Sequence, residues 1–186
     1  MTRVDVIHRK QEVVTKQQIV IIGFMGTGKT TVAQELGRRL NCASVDLDEL
    51  ITKGEGRSPG EIIDHDGESR FRELETQHLR EVLENESARV IAVGGGAWTI
   101  AVNRRLIADH KAISVWLDAP FELCWQRIEA GGEVRPLARS RDLAERLYAA
   151  RQPFYELADA RIIVSETESA EEIAIKVTKA LPPRID

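Results

Sequence analysis

Residues 23–30 read Gly-Phe-Met-Gly-Thr-Gly-Lys-Thr. They follow a short β-branched run, Ile19 to Ile22, and precede apolar residues at helical spacing: Val32, Ala33, Leu36 and Leu40. A strand, a glycine loop and a helix in that order fit G-x-x-x-x-G-K-[ST], and no other feature of the chain restricts its fold as tightly. Each part has a physical task. Gly23, Gly26 and Gly28 allow a tight turn that brings backbone N–H groups close to phosphate oxygens. The helix that follows points its positive end at the same place. Lys29 is spaced to reach the β- and γ-phosphates of a nucleotide, and Thr30 to offer its hydroxyl to Mg²⁺. The expected nucleotide contacts are therefore Gly26, Thr27, Gly28, Lys29, Thr30 and Thr31. The plainer reading, a glycine-rich joint between strand and helix, is weakened by the stringent eight-residue pattern and by the matching context on both sides. No N-K-x-D guanine motif appears, which favours ATP over GTP.

The rest of the chain repeats the same alternation. Further strands are expected at Ala43–Val45, Arg89–Val93, Ile113–Leu117 and Arg161–Val164. Ser58-Pro59-Gly60-Glu61 has the form of a capping box with proline at the first helical position. Phe71, Leu74, His78, Leu79, Val82 and Leu83 mark a long amphipathic helix from about Gly67 to Asn85. Helices are also expected from Pro120 to about Ala130, from Leu143 to Leu157 and from Ser169 to Leu181. Strands that alternate with helices predict an α/β fold, a parallel sheet with helices on both faces. The 186 residues suit one domain over 17–186, preceded by an extension, residues 1–16, that reads as a frayed tail or an added edge strand.

Composition excludes more than it assigns. The formal net charge of −4 gives no bulk attraction to nucleic acid or to an anionic membrane. The polar start and the lack of a long apolar run predict a cytoplasmic chain without a membrane span. Cys42 and Cys124 form no C-x-x-C motif and are expected to be inert packing residues.

Several charged residues stand where they could serve an acceptor. Asp46 and Asp48 follow the second strand, and an extended backbone there would point both side chains the same way. Asp46 then suits a metal, and Asp48 a reacting hydroxyl. Alternatively, Asp48 caps a short helix at Glu49–Lys53. Arg72 and Glu75 share a helix face with Glu68. They form either a solvated ion-pair ladder or an arginine held ready to grip a carboxylate or phosphate. Gly94-Gly95-Gly96 ends the third strand, either as a tight turn or as a place where substrate can lie on backbone N–H groups. The polar stretch 131–142, with Arg135-Pro136-Leu137 inside it, is either a lid over ATP or a surface loop. Arg151 is a helix-surface charge or a second anion clamp.

Taken in order, GFMGTGKT, the D-L-D pair, GESRFRELE, GGGA, RPL and R-Q-P-F-Y closely resemble the shikimate kinase family over roughly residues 18–165. The resemblance implies a three-layer αβα P-loop kinase of the nucleoside-monophosphate-kinase type. Its sheet would be mostly parallel and five-stranded, with a small lid at about 131–142 and a substrate-binding segment at about 47–80. It implies that ATP with Mg²⁺ phosphorylates the 3-hydroxyl of shikimate, a step toward chorismate and the aromatic amino acids. Asp48 would bind ring hydroxyls, Arg72 and Arg151 the carboxylate, and Gly95, flanked by Gly94 and Gly96, the substrate through its backbone. Arg135 would meet the phosphates from the lid, Arg127 would lie along the adenine, and Thr30 with Asp46 would hold Mg²⁺. Lys29, Asp48 and Arg135 would form the catalytic set, in a monomer acting on small molecules. Trp98 and Thr99 stand where the family more usually has a smaller aliphatic residue. The alternatives are a kinase for gluconate or a nucleoside monophosphate, and a non-catalytic ATP-binding regulator. Two nearby carboxylates would repel an acceptor phosphate but suit a polyol.

Overall fold

A computed structural model describes residues 17–131 and 138–182, so the N-terminal extension and Arg135 lie outside the described residues. Ile19–Ile22 (β1), Ser44–Asp46 (β2), Val90–Ala92 (β3), Ile113–Asp118 (β4) and Ala160–Ile163 (β5) form one sheet in the order β2-β3-β1-β4-β5. Every strand pair is parallel, where the resemblance implied a mostly parallel sheet. Four consecutive apolar residues in β1 are all fully buried, as a central strand covered on both faces requires. The chain runs from β1 to one side for β2 and β3, and then to the other for β4 and β5. Such a reversal opens a crevice beyond the carboxyl ends of the strands.

Eight α-helices cover the sheet among the described residues: Lys29–Leu40 (α1), Leu47–Glu55 (α2), Pro59–Asp66 (α3), Glu68–Glu84 (α4), Ala101–Asp109 (α5), Phe121–Gly131 (α6), Arg141–Tyr155 (α7) and Ala170–Ala180 (α8). Helix α1 starts on the phosphate-type loop and buries Val32, Ala33 and Leu36. It stops at Asn41, whose left-handed backbone lets its N–H reach the last carbonyls. The capping box at Ser58 and Glu61 forms in both directions and fixes where α3 begins. Helix α4 turns Phe71, Leu74, Leu79, Val82 and Leu83 inward, following the apolar spacing of its sequence. Helix α8 starts with a second capping box, Ser169 and Glu172, and packs on α1. No helix among the described residues is long and apolar enough to cross a membrane.

Three expectations need correction. The D-L-D segment does not stay extended: β2 ends at Asp46, whose Oδ1 accepts the Asp48 N–H at 2.9 Å and caps α2. Asp46, not Asp48, is the cap, because a carboxylate at the strand end satisfies the first amides of the next helix. Helix α5 was not anticipated. It has no capping side chain at Ile100, and its start is tied instead by Asn103 Nδ2 donating to the Ala97 carbonyl at 2.9 Å. The polar stretch expected over 131–142 is bounded more tightly, since α6 runs through Gly131 and α7 begins at Arg141 with Ser140 as its cap.

Candidate active site

A cavity of about 370 Å³ opens beyond the carboxyl ends of β1, β2 and β3. One wall is the loop after β1. Gly26 and Gly28 there have φ values of 80° and 89°, a region that side chains seldom tolerate. The start of α6 closes in behind the loop, so a side chain at Gly26 would run into the Cys124 carbonyl. Thr27 is buried and donates its hydroxyl to the Phe24 carbonyl at 2.9 Å, which pins the loop's own shape. Lys29 Nζ donates to the same carbonyl at 2.9 Å from across the loop. Gly26, Gly28, Lys29 and Thr30 line the cavity, whereas Thr27 does not and Thr31 faces solvent. Arg127, from α6, also lines it, and its Nη1 donates to the carbonyls of Gly26 and Thr27 at 3.3 and 3.4 Å.

Asp46 and Asp48 line the same cavity from the start of α2. Thr30 Oγ1 donates to Asp46 Oδ2 at 2.5 Å, so hydroxyl and carboxylate already meet at the foot of the loop. Among the described residues no cluster of three or more His, Cys, Asp or Glu side chains is arranged to cage a metal. One hydroxyl and one carboxylate beside a phosphate cradle suit Mg²⁺, which takes few protein ligands and completes its shell with phosphate oxygens and water.

The opposite wall is built from side chains. Arg72, on α4, donates through Nη1 to Glu75 Oε2 at 2.5 Å, and through Nε and Nη2 to Glu68 Oε1 at 3.1 and 2.7 Å. Glu75 is fully buried, which rules out a merely solvated ladder. Its Oε1 has no hydrogen-bond partner among the described residues. Burial pushes the Glu75 carboxyl up to about 7 against the pull of Arg72, with the nearby charge of Asp48 adding to the rise. Arg151 is only 6% exposed, so it is no surface charge. Its guanidinium lies over the Phe24 ring at 5.9 Å, which brings α7 onto the phosphate-type loop. Burial lowers the Arg151 pKa from its ordinary value, yet a guanidinium stays charged in proteins.

The Gly94–Gly96 turn is the meeting point of these groups. A Cβ on Gly94 would stand 2.7 Å from Glu75 Oε1 and 3.3 Å from Asp48 Oδ1. One on Gly95 would stand 2.8 Å from the Tyr155 hydroxyl and 2.9 Å from the Gly23 carbonyl, and one on Gly96 would collide with the Arg72 guanidinium. Asp48, Arg72, Gly94, Gly95, Gly96 and Arg151 thus all line one cavity with Lys29 and Thr30. Met25, Pro59, Gly60, Ile63 and Phe71 line it too and were not singled out from the sequence. Only the Ser58–Glu61 capping box signalled in advance where Pro59 and Gly60 would sit. Both cysteines take the packing role expected of them: Cys124 is buried, with its thiol pushed up to about 11 by burial, and Cys42 is half-buried.

The family model described as shikimate kinase matches residues 25–182, most of the chain. The chain belongs to the shikimate kinase family. It is 38% identical over 174 residues to the shikimate kinase of Cereibacter sphaeroides, covering 92% of this chain and 85% of that protein. Against the shikimate kinase of Geobacter sulfurreducens it is 41% identical over 164 residues, 87% of this chain and 88% of the other. Its structure matches that of shikimate kinase from Acinetobacter baumannii in complex with shikimate, with a TM-score of 0.79 and 33% identity over 89% of this chain and 92% of the other. The family makes this chain an ATP-dependent kinase that phosphorylates an alcohol.

Proposed function

We propose that this chain transfers the γ-phosphoryl group of ATP to the 3-hydroxyl of shikimate, giving shikimate 3-phosphate and ADP on the way to chorismate. The observation that carries this reading is the convergence of Arg72, Arg151 and Asp48 on the Gly94–Gly96 turn, in the same cavity as Lys29 and Thr30. Two arginine forks suit a carboxylate, and the aspartate beside them suits a hydroxyl. Amides of the 23–30 loop, the positive end of α1 and Lys29 hold the β- and γ-phosphates. Arg127 lies beside the adenine, and Arg135, outside the described residues, takes the role of a phosphate-binding cation.

Asp48 holds the acceptor hydroxyl in line with the γ-phosphorus and takes its proton as the new P–O bond forms and the bond to the β-phosphate oxygen breaks. Lys29 and Arg135 offset the charge on the transferring oxygens. Thr30 and Asp46 would hold Mg²⁺, which would supply positive charge beside the phosphates. Glu75 fixes Arg72 by accepting from one edge of its guanidinium. We read the working enzyme as a cytoplasmic monomer acting on small molecules alone.

The test is ATP-dependent ADP release with and without Mg²⁺ against shikimate, quinate, gluconate, AMP and CMP. Turnover should require Mg²⁺ and should be highest with shikimate. Efficient turnover of AMP or gluconate without turnover of shikimate would overturn the substrate assignment.

A further inference from the structure

Tyr155 ends α7, is fully buried, and does not line the cavity. It lies four residues, one helical turn, beyond Arg151, so the two side chains share a face. Its hydroxyl donates to the Gly95 carbonyl at 3.0 Å, and the Arg151 guanidinium lies beside the same turn. The Tyr155 hydroxyl and Arg151 Nη1 lie 2.8 and 3.1 Å from the point where a Gly95 Cβ would stand. The ring stacks on Trp116 of β4 with centroids 5.9 Å apart, which leaves the phenol little freedom. One residue earlier, Trp98 Nε1 donates to the Phe154 carbonyl at 2.7 Å. The end of α7 is therefore fastened to the segment after β3 at two successive residues, once from each side.

We propose that Tyr155 is a positioning residue for the acceptor: its hydroxyl sets the distance between the Arg151 guanidinium and the Gly95 backbone, without touching substrate itself. The proposal rests on the reading that Arg151 and Gly95 meet the acceptor. A carboxylate gripped by a guanidinium needs the fork held in one orientation, and a long, flexible side chain loses that orientation unless something holds its inner edge. Tyr155 supplies that hold. It also gives the Gly95 carbonyl at the turn a donor. Burial pushes the phenol up to about 12, so it keeps its proton and remains a donor to Gly95 across the physiological pH range.

The experiment compares Tyr155→Phe and Arg151→Lys with wild type, reading KM for shikimate, KM for ATP, kcat and Tm in the same preparations. Phenylalanine keeps the ring against Trp116 and removes only the hydroxyl. Tyr155→Phe should raise the shikimate KM roughly five- to twentyfold, on the order of losing one hydrogen bond, with the ATP KM within about twofold. Its kcat should stay within about threefold, since no reacting atom is touched. If Arg151→Lys raises the shikimate KM and Tyr155→Phe does not, the positioning role is wrong and the acceptor reading stands. If neither variant changes it, the placement of the acceptor at Arg151 is itself wrong. A Tyr155→Phe variant whose two KM values rise together with a lower Tm has lost structure in general, which also overturns the proposal.

Discussion

The phosphate side of the cavity comes mainly from one stretch of chain, residues 23–30, with Asp46 and Arg127 beside it, whereas the acceptor side draws Asp48 from α2, Arg72 and Glu75 from α4, the Gly94–Gly96 turn from the end of β3 and Arg151 from α7. The first wall presents mainly backbone N–H groups and the end of a helix, fixed as soon as α1 forms. The second presents charged side chains that owe their positions to packing among four elements. Function within the loop should therefore depend chiefly on the side chains of Lys29 and Thr30, and be separable from stability. On the acceptor side, binding, ionisation and packing are coupled, because Glu75 and Arg151 are both buried.

The largest separation is expected at Lys29→Ala. Loss of a charge aimed at the transferring phosphoryl should reduce kcat by at least about a hundred- to a thousandfold, comparable to removing one strong transition-state donor. Thermal unfolding of the same preparation should show Tm nearly unchanged, because the side chain lies in the open cavity. Turnover near that of wild type would mean that this loop is not the catalytic cradle.

A smaller effect, confined to the other wall, is expected at Arg72→Lys. Charge is kept but the two-pronged donor is lost, so shikimate should bind roughly five- to a hundredfold more weakly, and ATP about equally well. Separate titrations of the two ligands check this. If shikimate binds the variant normally, the carboxylate clamp lies elsewhere, and the comparison between the two walls loses its main support.

Glu75→Gln should show the coupling in its mildest form. Acceptor affinity should fall only a few-fold, because glutamine still offers an oxygen to Arg72. The pH dependence is the more telling readout. Burial holds the Glu75 carboxyl near 7 in the folded chain, against an ordinary value of 4.5. The folded state therefore binds this proton more tightly than the unfolded state. The stability from this group is fully present below about pH 4.5 and is lost as pH rises through about 7. Asp48, Arg72 and Arg151 face the same carboxyl and set its charge balance. Urea midpoints should fall across that window in wild type, and less in Glu75→Gln. Parallel profiles would show that Arg72 keeps Glu75 ionised throughout.

The same contrast explains what could be read from the sequence. The 23–30 loop announces itself because all its parts are contiguous and each residue type has one job. The strands were visible as apolar runs, and α3 and α8 began at the serines that cap them. Helix α5 was invisible because Ile100 is no cap and the fastening by Asn103 is a buried contact to Ala97. The mode by which Asp46 and Asp48 meet was misjudged for a related reason. Their spacing is the same in a strand and at a helix start, and only the bond from the Asp48 N–H to Asp46 decides between them. Arg72 and Glu75 read equally well as a surface ladder until the burial of Glu75 is known. Tyr155 stands in the sequence only as the last letter of R-Q-P-F-Y, with no role legible there, since its partners lie 60 residues away at Gly95 and across the sheet at Trp116.

The three glycines after β3 have a consequence for how this chain can drift over generations. The room a side chain would need at Gly94 is held by Glu75 and Asp48, at Gly95 by Tyr155 and the Gly23 carbonyl, and at Gly96 by Arg72. These positions act by what they leave out, so the side chains they tolerate are limited by groups written in five other places. A replacement at Gly94 or Gly96 becomes tolerable only after Glu75 or Arg72 has yielded, and at Gly95 a backbone carbonyl stands in the way as well. Mutational paths through this turn therefore run through its neighbours before they reach the turn itself.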